Sequence, residues 1–91
     1  MHEQAVMRDV LGRIVRLAET EGASSVTRVS VRLGALSHFT PEHFEEHYRD
    51  SARGTIADGA IVDATPDEST TATNAQSVVL ESVELQFEEP D

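Results

Sequence analysis

The chain has 91 residues, a formal net charge of −10 at pH 7 and no cysteine. A chain this short forms one small domain, and its lack of thiols excludes disulfides, thiol catalysis and cysteine-ligated zinc or iron–sulfur sites. Its acidic balance argues against nucleic acid as a partner. Because no apolar run is long enough for a bilayer and no signal peptide is visible, we expect a cytoplasmic protein without membrane contact.

The chain opens with Met1, His2 and Glu3, directly before the first predicted helix. We expect Met1 to be retained because His2 is large, which leaves a free α-amine at the terminus. This amine, the His2 imidazole and the backbone amides of His2 and Glu3 can surround one metal ion in a plane, as nickel(II) and copper(II) prefer. The alternative from these three residues alone is a disordered terminus.

Residues from Glu3 to about Glu21 show the apolar spacing of a helix. The apolar side chains fall on one broad face, at Val6, Met7, Val10, Leu11, Ile14, Leu17 and Ala18. Gly22 follows directly and predicts the end of the helix.

The next segment, from Val26 to Leu33, reads V-T-R-V-S-V-R-L, in which Val29, Val31 and Leu33 alternate with Arg28, Ser30 and Arg32. A period of two predicts a β-strand with one buried and one solvated face. Such a strand needs a cover on one side only, so we expect a two-layer domain with the helices on the same face of the sheet.

A second helix is predicted to begin at Thr40, which can cap it, with Pro41 and Glu42 in the first turn. The helix runs to about Ala52 and is expected to end near Gly54. Its thin apolar stripe consists of Phe44, Tyr48 and Ala52.

The last third of the chain is predicted to hold two strands joined by a loop. The turn Asp58–Gly59 leads into a short strand, Ala60–Thr65, and the polar segment Pro66–Ser77 offers nothing to anchor a core. In the final strand, Val78–Phe87, the apolar positions change phase near Glu81, as a β-bulge would cause. We expect the two strands to be antiparallel neighbours, so that a short turn could replace the loop.

Together these elements predict an α+β two-layer fold in the order α-β-α-β-β. The sheet is expected to have three strands of mixed direction, with both helices packed on one face. The whole chain, residues 1–91, is expected to form a single domain.

The second helix also carries His43 and His47, one turn apart, with Glu46 beside them. The segment matches H-x-x-E-H, the inverted zinc-protease signature, but such an enzyme needs a third ligand from a distant segment and a substrate cleft. We therefore interpret the two histidines as surface residues; an adventitious metal site there, together with His38, is the alternative. We find no catalytic constellation and expect a protein that is not an enzyme.

Several stretches, in the same order, resemble the HypA family, the nickel metallochaperones of nickel–iron hydrogenase (and sometimes urease) maturation. They are Met1-His2-Glu3, the apolar helix, V-T-R-V-S-V-R-L-G-A-L-S at Val26–Ser37, T-P-E at Thr40–Glu42 and R-G-T-I-A-D-G-A at Arg53–Ala60. The resemblance covers residues 1–65, and residues 78–87 are similar to the family's closing strand. It implies a three-stranded sheet backed by two helices and a Ni(II) site at Met1, His2 and Glu3.

The chain departs from the family pattern between the second and third strands, where a zinc domain with two C-x-x-C pairs is usual. Residues 66–77 hold neither cysteine nor histidine, so zinc is not expected and we interpret the segment as a flexible loop in place of that domain. The resemblance implies a GTPase nickel-insertion partner and a hydrogenase large subunit as the recipient of nickel.

The sequence is compatible with two functions. The first is a nickel metallochaperone that binds Ni(II) at its N-terminus and delivers it during hydrogenase maturation. The second is a metal-free adaptor that recognises a hydrogenase subunit or a maturation partner. An exposed final strand could also pair with a second copy of the chain, so a monomer and a weak homodimer both fit the sequence.

Overall fold

The computed structural model describes residues 3–68 and 76–88. Within these ranges two helices and three strands follow the predicted order, which confirms the expected fold class. The elements are α1 (Glu3–Glu21), β1 (Ser25–Leu33), α2 (Pro41–Ala52), β2 (Ile61–Pro66) and β3 (Val78–Gln86). No helix in these ranges is long and apolar enough to span a membrane.

Helix α1 ends where its sequence predicts. Gly22 adopts a φ of 75°, and its N–H donates to the carbonyl of Glu19 at 3.1 Å while the N–H of Ala23 donates to the carbonyl of Ala18 at 2.9 Å. This pair of bonds is the Schellman arrangement, which favours glycine at its left-handed position. The helix buries Met7, Val10, Leu11, Ile14 and Ala18, whereas Leu17, predicted on the same face, is 40 % exposed.

Helix α2 begins at the predicted position because its first backbone groups are satisfied locally. The hydroxyl oxygen of Thr40 accepts the N–H of His43 at 3.1 Å, and Pro41 occupies the first turn, where a backbone N–H has no helical partner. The stripe of Phe44, Tyr48 and Ala52 is at most 1 % exposed. Both the start and the rotation of α2 are thereby fixed.

The three strands form one mixed sheet in the order β2-β1-β3. The central strand β1 pairs in parallel with β2 and antiparallel with β3. Helix α1 contacts β3, α2 contacts β2, and the two helices contact each other. The core lies between the helices and one face of the sheet, where β1 contributes Val26, Val29, Val31 and Leu33.

Two β-bulges interrupt the pairing of β1 with β3. One inserts Glu81 as an extra residue between the partners of Ser30 and Val31, which confirms the phase change predicted there. The other lies between Val26 and Arg28 of β1, where the spacing of three residues between Val26 and Val29 departs from alternation; this bulge was not predicted. Because an extra residue reverses the side-chain alternation, this second bulge keeps Val26 on the buried face.

The predicted pairing of the last two strands is wrong. Strands β2 and β3 run in opposite directions but flank β1 on opposite sides, so they are not neighbours. The sequence does not reveal this because a polar connector is compatible with a hairpin and with a crossover past the central strand. The connector also begins later than predicted, since Pro66 belongs to β2, and its residues 69–75 lie outside the described ranges.

The second face of the sheet carries ion pairs that cross all three strands. Arg28 of β1 contacts Asp63 of β2, and its Nε lies 3.6 Å from a carboxylate oxygen of Glu84 on β3. The hydrogen bond that Arg28 donates to Asp63, and then the negative charge of Asp63, raise the pKa of Arg28. Nε of Arg32 lies 3.1 Å from Glu81. Exposed pairs of this kind add little to stability, but they confirm that this face is solvated and that the fold has two layers.

Tyr48 links α2 to the segment that precedes β2. Its side chain is fully buried, and its hydroxyl donates to the carbonyl of Ala57 at 2.9 Å. Burial, and then the charge of Asp58, raises the pKa of Tyr48 to about 12 from 10.0. The folded protein therefore holds this proton more tightly than the unfolded chain, so its contribution is fully present below pH 10 and is lost as the pH rises to about 12.

We expect Tyr48→Phe to lower the free energy of unfolding by about 1–2 kcal/mol at neutral pH, because the Ala57 carbonyl loses its partner. The variant should also lose less stability than the parent between pH 10 and pH 12. Urea unfolding at several pH values measures both effects. Since Tyr48 is the only tyrosine, alkaline absorbance titration reports its ionisation directly, and a midpoint near pH 10 would contradict the buried phenol.

Candidate metal centre

Of the nickel ligands predicted from the sequence, the structure describes Glu3, at the start of α1. Met1 and His2 lie outside the described residues, and Glu3 is the first residue of the helix. The carboxylate of Glu3 lies in the first turn, where the helix dipole favours negative charge. Met7 and Val10, both buried, hold this end of α1 on the core.

The side chain of Glu3 lies beside two histidines of α2. Oε1 of Glu3 is 3.2 Å from Nδ1 of His43, and Nε2 of His43 is 2.9 Å from Nε2 of His47. One ligand atom from each of the three residues lies within 4.8 Å of the others. In the part of the chain that the structure describes, this group is the one arrangement of acids and histidines that could hold a metal ion.

The positions of the two histidines follow from the way α2 is built. Thr40 fixes the start of the helix, and Phe44 and Tyr48 fix its buried face. Residues four apart project from the same side of an α-helix, so His43 and His47, each one position before a buried aromatic residue, lie together at the border of the core. Both are intermediate in exposure.

Phe39 forms an apolar wall against the two imidazoles. Its ring, 8 % exposed, has its centre 5.6 Å from that of His43 and 6.2 Å from that of His47. It also meets the ring of Phe44 edge-on at 5.6 Å. The two histidine rings are 4.5 Å apart at an angle of 73°. This packing restricts the rotation of both imidazoles and keeps their Nε2 atoms facing each other.

The contacts of His43 favour one arrangement of protons. A carboxylate beside Nδ1 favours a proton on that nitrogen, which leaves Nε2 of a neutral imidazole as an acceptor. His47 can donate its Nε2 proton to His43 across the 2.9 Å contact. A metal ion can take the place of that proton, and Glu3 then holds His43 from the opposite side, as carboxylates commonly do for metal-bound histidines.

The structure changes the interpretation of the helix histidines. From the sequence they are surface residues with no connection to the amino terminus, whereas Glu3 brings the two regions together. Glu46, the acid of the H-x-x-E-H pattern, is exposed and does not belong to the three-residue group, so the protease-like arrangement does not form. The spacing of two histidines beside a buried stripe is the sequence feature that could have predicted a paired site. It could not have predicted the contact with Glu3, because that contact depends on how α1 packs against α2.

His38 occupies a cleft next to the cluster. It adopts a φ of 68°, a left-handed conformation that is uncommon for residues other than glycine. The cleft is lined by Glu3, Val6, Leu36, Ser37, His38, Phe39 and Gln76. His38 thus shares a cleft with Glu3, although it is not a member of the three-residue group.

Known proteins resemble the chain over the region that contains all of these residues. The family model described as hydrogenase/urease nickel incorporation, metallochaperone, HypA matches residues 1–72, which is most of the chain. The chain belongs to the HypA family. The resemblance stated from the sequence is thereby confirmed.

Individual HypA proteins match the same part of the chain. A hydrogenase maturation factor HypA from Archaeoglobus fulgidus is 37% identical over 60 residues, which cover 66% of this chain and 54% of the relative. One from Methanosarcina mazei is 34% identical over 68 residues, which cover 72% of this chain and 50% of the relative. The chain therefore spans about half the length of the curated HypA proteins that it matches.

A solved HypA structure has the same fold. The solution structure of the Ni metallochaperone HypA from Helicobacter pylori covers 97% of this chain and 100% of its own, with a TM-score of 0.77 and 18% sequence identity. At this identity the likeness concerns the arrangement of helices and strands. Roles of individual HypA side chains do not follow from it.

Proposed function

We propose that the chain is a nickel carrier, not an enzyme, that holds Ni(II) as its cargo at Met1, His2 and Glu3 and delivers it during hydrogenase maturation. The supporting observation is the HypA family match over residues 1–72, which includes these three residues; Glu3 is the first residue of a helix packed on the core. The α-amine, the His2 imidazole and the amides of His2 and Glu3 supply a complete plane of nitrogen ligands. Such a plane suits nickel(II).

The proposal includes a nickel-binding domain that has no zinc module. This chain has no cysteine, so the two C-x-x-C pairs of the family pattern have no counterpart between β2 and β3. Hydrogen bonds join the described ends of the connector to the end of β1. The N–H of Asp67 donates to the carbonyl of Leu33, and the N–H of Gly34 donates to the carbonyl of Ser77. A GTPase that supplies nickel and a hydrogenase large subunit that receives it are the proposed partners.

Nickel titration of the protein with an untagged amino terminus tests the proposal. We expect one equivalent of nickel to produce the absorption band of yellow, diamagnetic, square-planar nickel(II). His2→Ala should abolish this band, because the plane loses its imidazole nitrogen. His38→Asn is the matched control: it removes a histidine from the neighbouring cleft, and asparagine tolerates a positive φ, so the band should persist.

A second variant carries one extra residue before Met1, which separates the α-amine from the other ligands. It should lose the band and keep the circular dichroism spectrum of the parent. If the untagged protein shows no band but still binds a hydrogenase large subunit, the carrier function is wrong and the adaptor function is supported.

A further inference from the structure

We propose that His43 and His47 form a second divalent-metal site, separate from the amino terminus and oriented by Glu3. The ion it takes is a first-row divalent ion that accepts imidazole nitrogen, such as zinc(II) or nickel(II). The two Nε2 atoms are the direct ligands, and water completes the coordination. The site needs neither the α-amine nor His2, so it does not depend on the proposed carrier function.

The distance between the two ring nitrogens fits one bound ion. Metal–imidazole bonds are about 2.0–2.1 Å long, so two nitrogens on one ion lie about 2.9 Å apart at a right angle and about 3.3 Å apart at a tetrahedral angle. The Nε2 atoms of His43 and His47 are 2.9 Å apart. A small rotation of each ring, with α2 unchanged, directs both electron pairs at one ion in place of the shared proton.

The surroundings of the pair favour a cation that arrives from solvent. The side chains of His43 and Glu3 are 40% and 33% exposed, so an ion can reach them. Glu3 supplies negative charge at 3.2 Å from His43. His47 also lines a groove together with Arg8 and Asp50, one residue of each charge. Carboxylate support on one side and a dry aromatic wall on the other are typical of sites that hold a histidine in a fixed orientation for a metal.

Glu3 connects the helix pair to the proposed terminal site, and this step rests on the proposed function. The backbone amide of Glu3 belongs to the terminal ligand set, while its carboxylate faces His43. Cations at the two places share this residue and repel each other, so each should weaken the binding of the other by the same factor.

The test uses the His2→Ala protein, which lacks the terminal site, and zinc chloride as the probe. Zinc(II) is diamagnetic and does not favour a square plane, so it reports on the helix pair by nuclear magnetic resonance. The chain has four histidines, of which three remain in this variant. We expect the ring-proton signals of His43 and His47 to shift together and to saturate at one equivalent of zinc, while the signals of His38 stay in place.

Further variants in the same background identify the ligands. His43→Gln should abolish the zinc-dependent shift of His47, and His47→Gln should abolish that of His43. Glu3→Gln keeps the shape of the side chain but removes its charge, and it should weaken zinc binding by about 10–100-fold. His38→Asn is the control and should leave both the shift and the affinity unchanged. Thermal unfolding of each variant checks that the fold is retained.

Two results would overturn the proposal. One is a folded His43→Gln protein that still binds zinc with the parent affinity, which would assign the binding to scattered surface carboxylates. The other is the absence of any histidine shift at one equivalent of zinc. A failed nickel titration at the native terminus, combined with the expected zinc result, rejects the carrier function alone, so the two proposals fail separately.

Discussion

Phe44→Ala should lower the free energy of unfolding by about 3–5 kcal/mol. The side chain of Phe44 is fully buried and packs edge-on against Phe39, with the ring centres 5.6 Å apart. Truncation removes this contact and leaves a cavity between α2 and the sheet. Because small domains have roughly 5–15 kcal/mol of stability in total, this one change removes a large share of it. Urea unfolding followed by circular dichroism measures the loss.

The same substitution should also disturb the candidate metal centre, because the ring of Phe39 packs against Phe44 and against both imidazoles. We expect weaker zinc binding by the helix pair under conditions where the variant is still folded. Glu46→Ala is the matched control: it alters an exposed residue of the same helix and should change stability by no more than about 0.5 kcal/mol. A Phe44→Ala protein that loses less than about 1 kcal/mol would contradict the packing of α2.

The elements that could be predicted from the sequence are those with local causes. Gly22 ends α1 through its own left-handed conformation, and Thr40 begins α2 through a hydrogen bond three residues away. The bulge at Glu81 is visible because it shifts the apolar period of a single strand. The bulge beside Val26 is marked by the spacing of three residues between Val26 and Val29, but Val26 is the one apolar residue of β1 on that side, which is too little to establish a separate phase.

The features that could not be predicted depend on which elements meet. A period of two shows which face of a strand is buried but not which strand lies beside it, so the order β2-β1-β3 is absent from the pattern. The same holds for the metal centre. The candidate ligands at the amino terminus are adjacent in the chain, whereas Glu3 and His43 are forty residues apart and meet because α1 and α2 pack together.

Replacement of residues 67–77 by an Asn-Gly turn should prevent β3 from pairing with β1. Pro66 and Val78 are both aligned with Leu33, one on each side of β1, so the ends to be joined lie about 10 Å apart at the usual strand spacing. The direct path between them is blocked by the chain that continues from Leu33 into Gly34. A two-residue turn joins adjacent strands, and these strands are not adjacent.

The expected consequence is a large loss of stability. Without β3 the core loses the partly buried side chains of Val78, Leu80, Val83 and Leu85, and the two remaining strands form a sheet that is marginal by itself. A six-residue Gly/Ser connector is the matched control. It can reach about 20 Å, which is enough to pass over Gly34, and near-halving of the loop changes its closure free energy by only about 0.6 kcal/mol.

Amide hydrogen exchange distinguishes the two connectors. With six residues, the amides of β1 that face β3 should remain protected and the urea midpoint should stay close to that of the parent. With two residues, protection along this edge should disappear and cooperative unfolding should be lost. If the two-residue variant keeps both the amide protection and the cooperative unfolding, β2 and β3 can pair directly. That result would contradict the strand order β2-β1-β3.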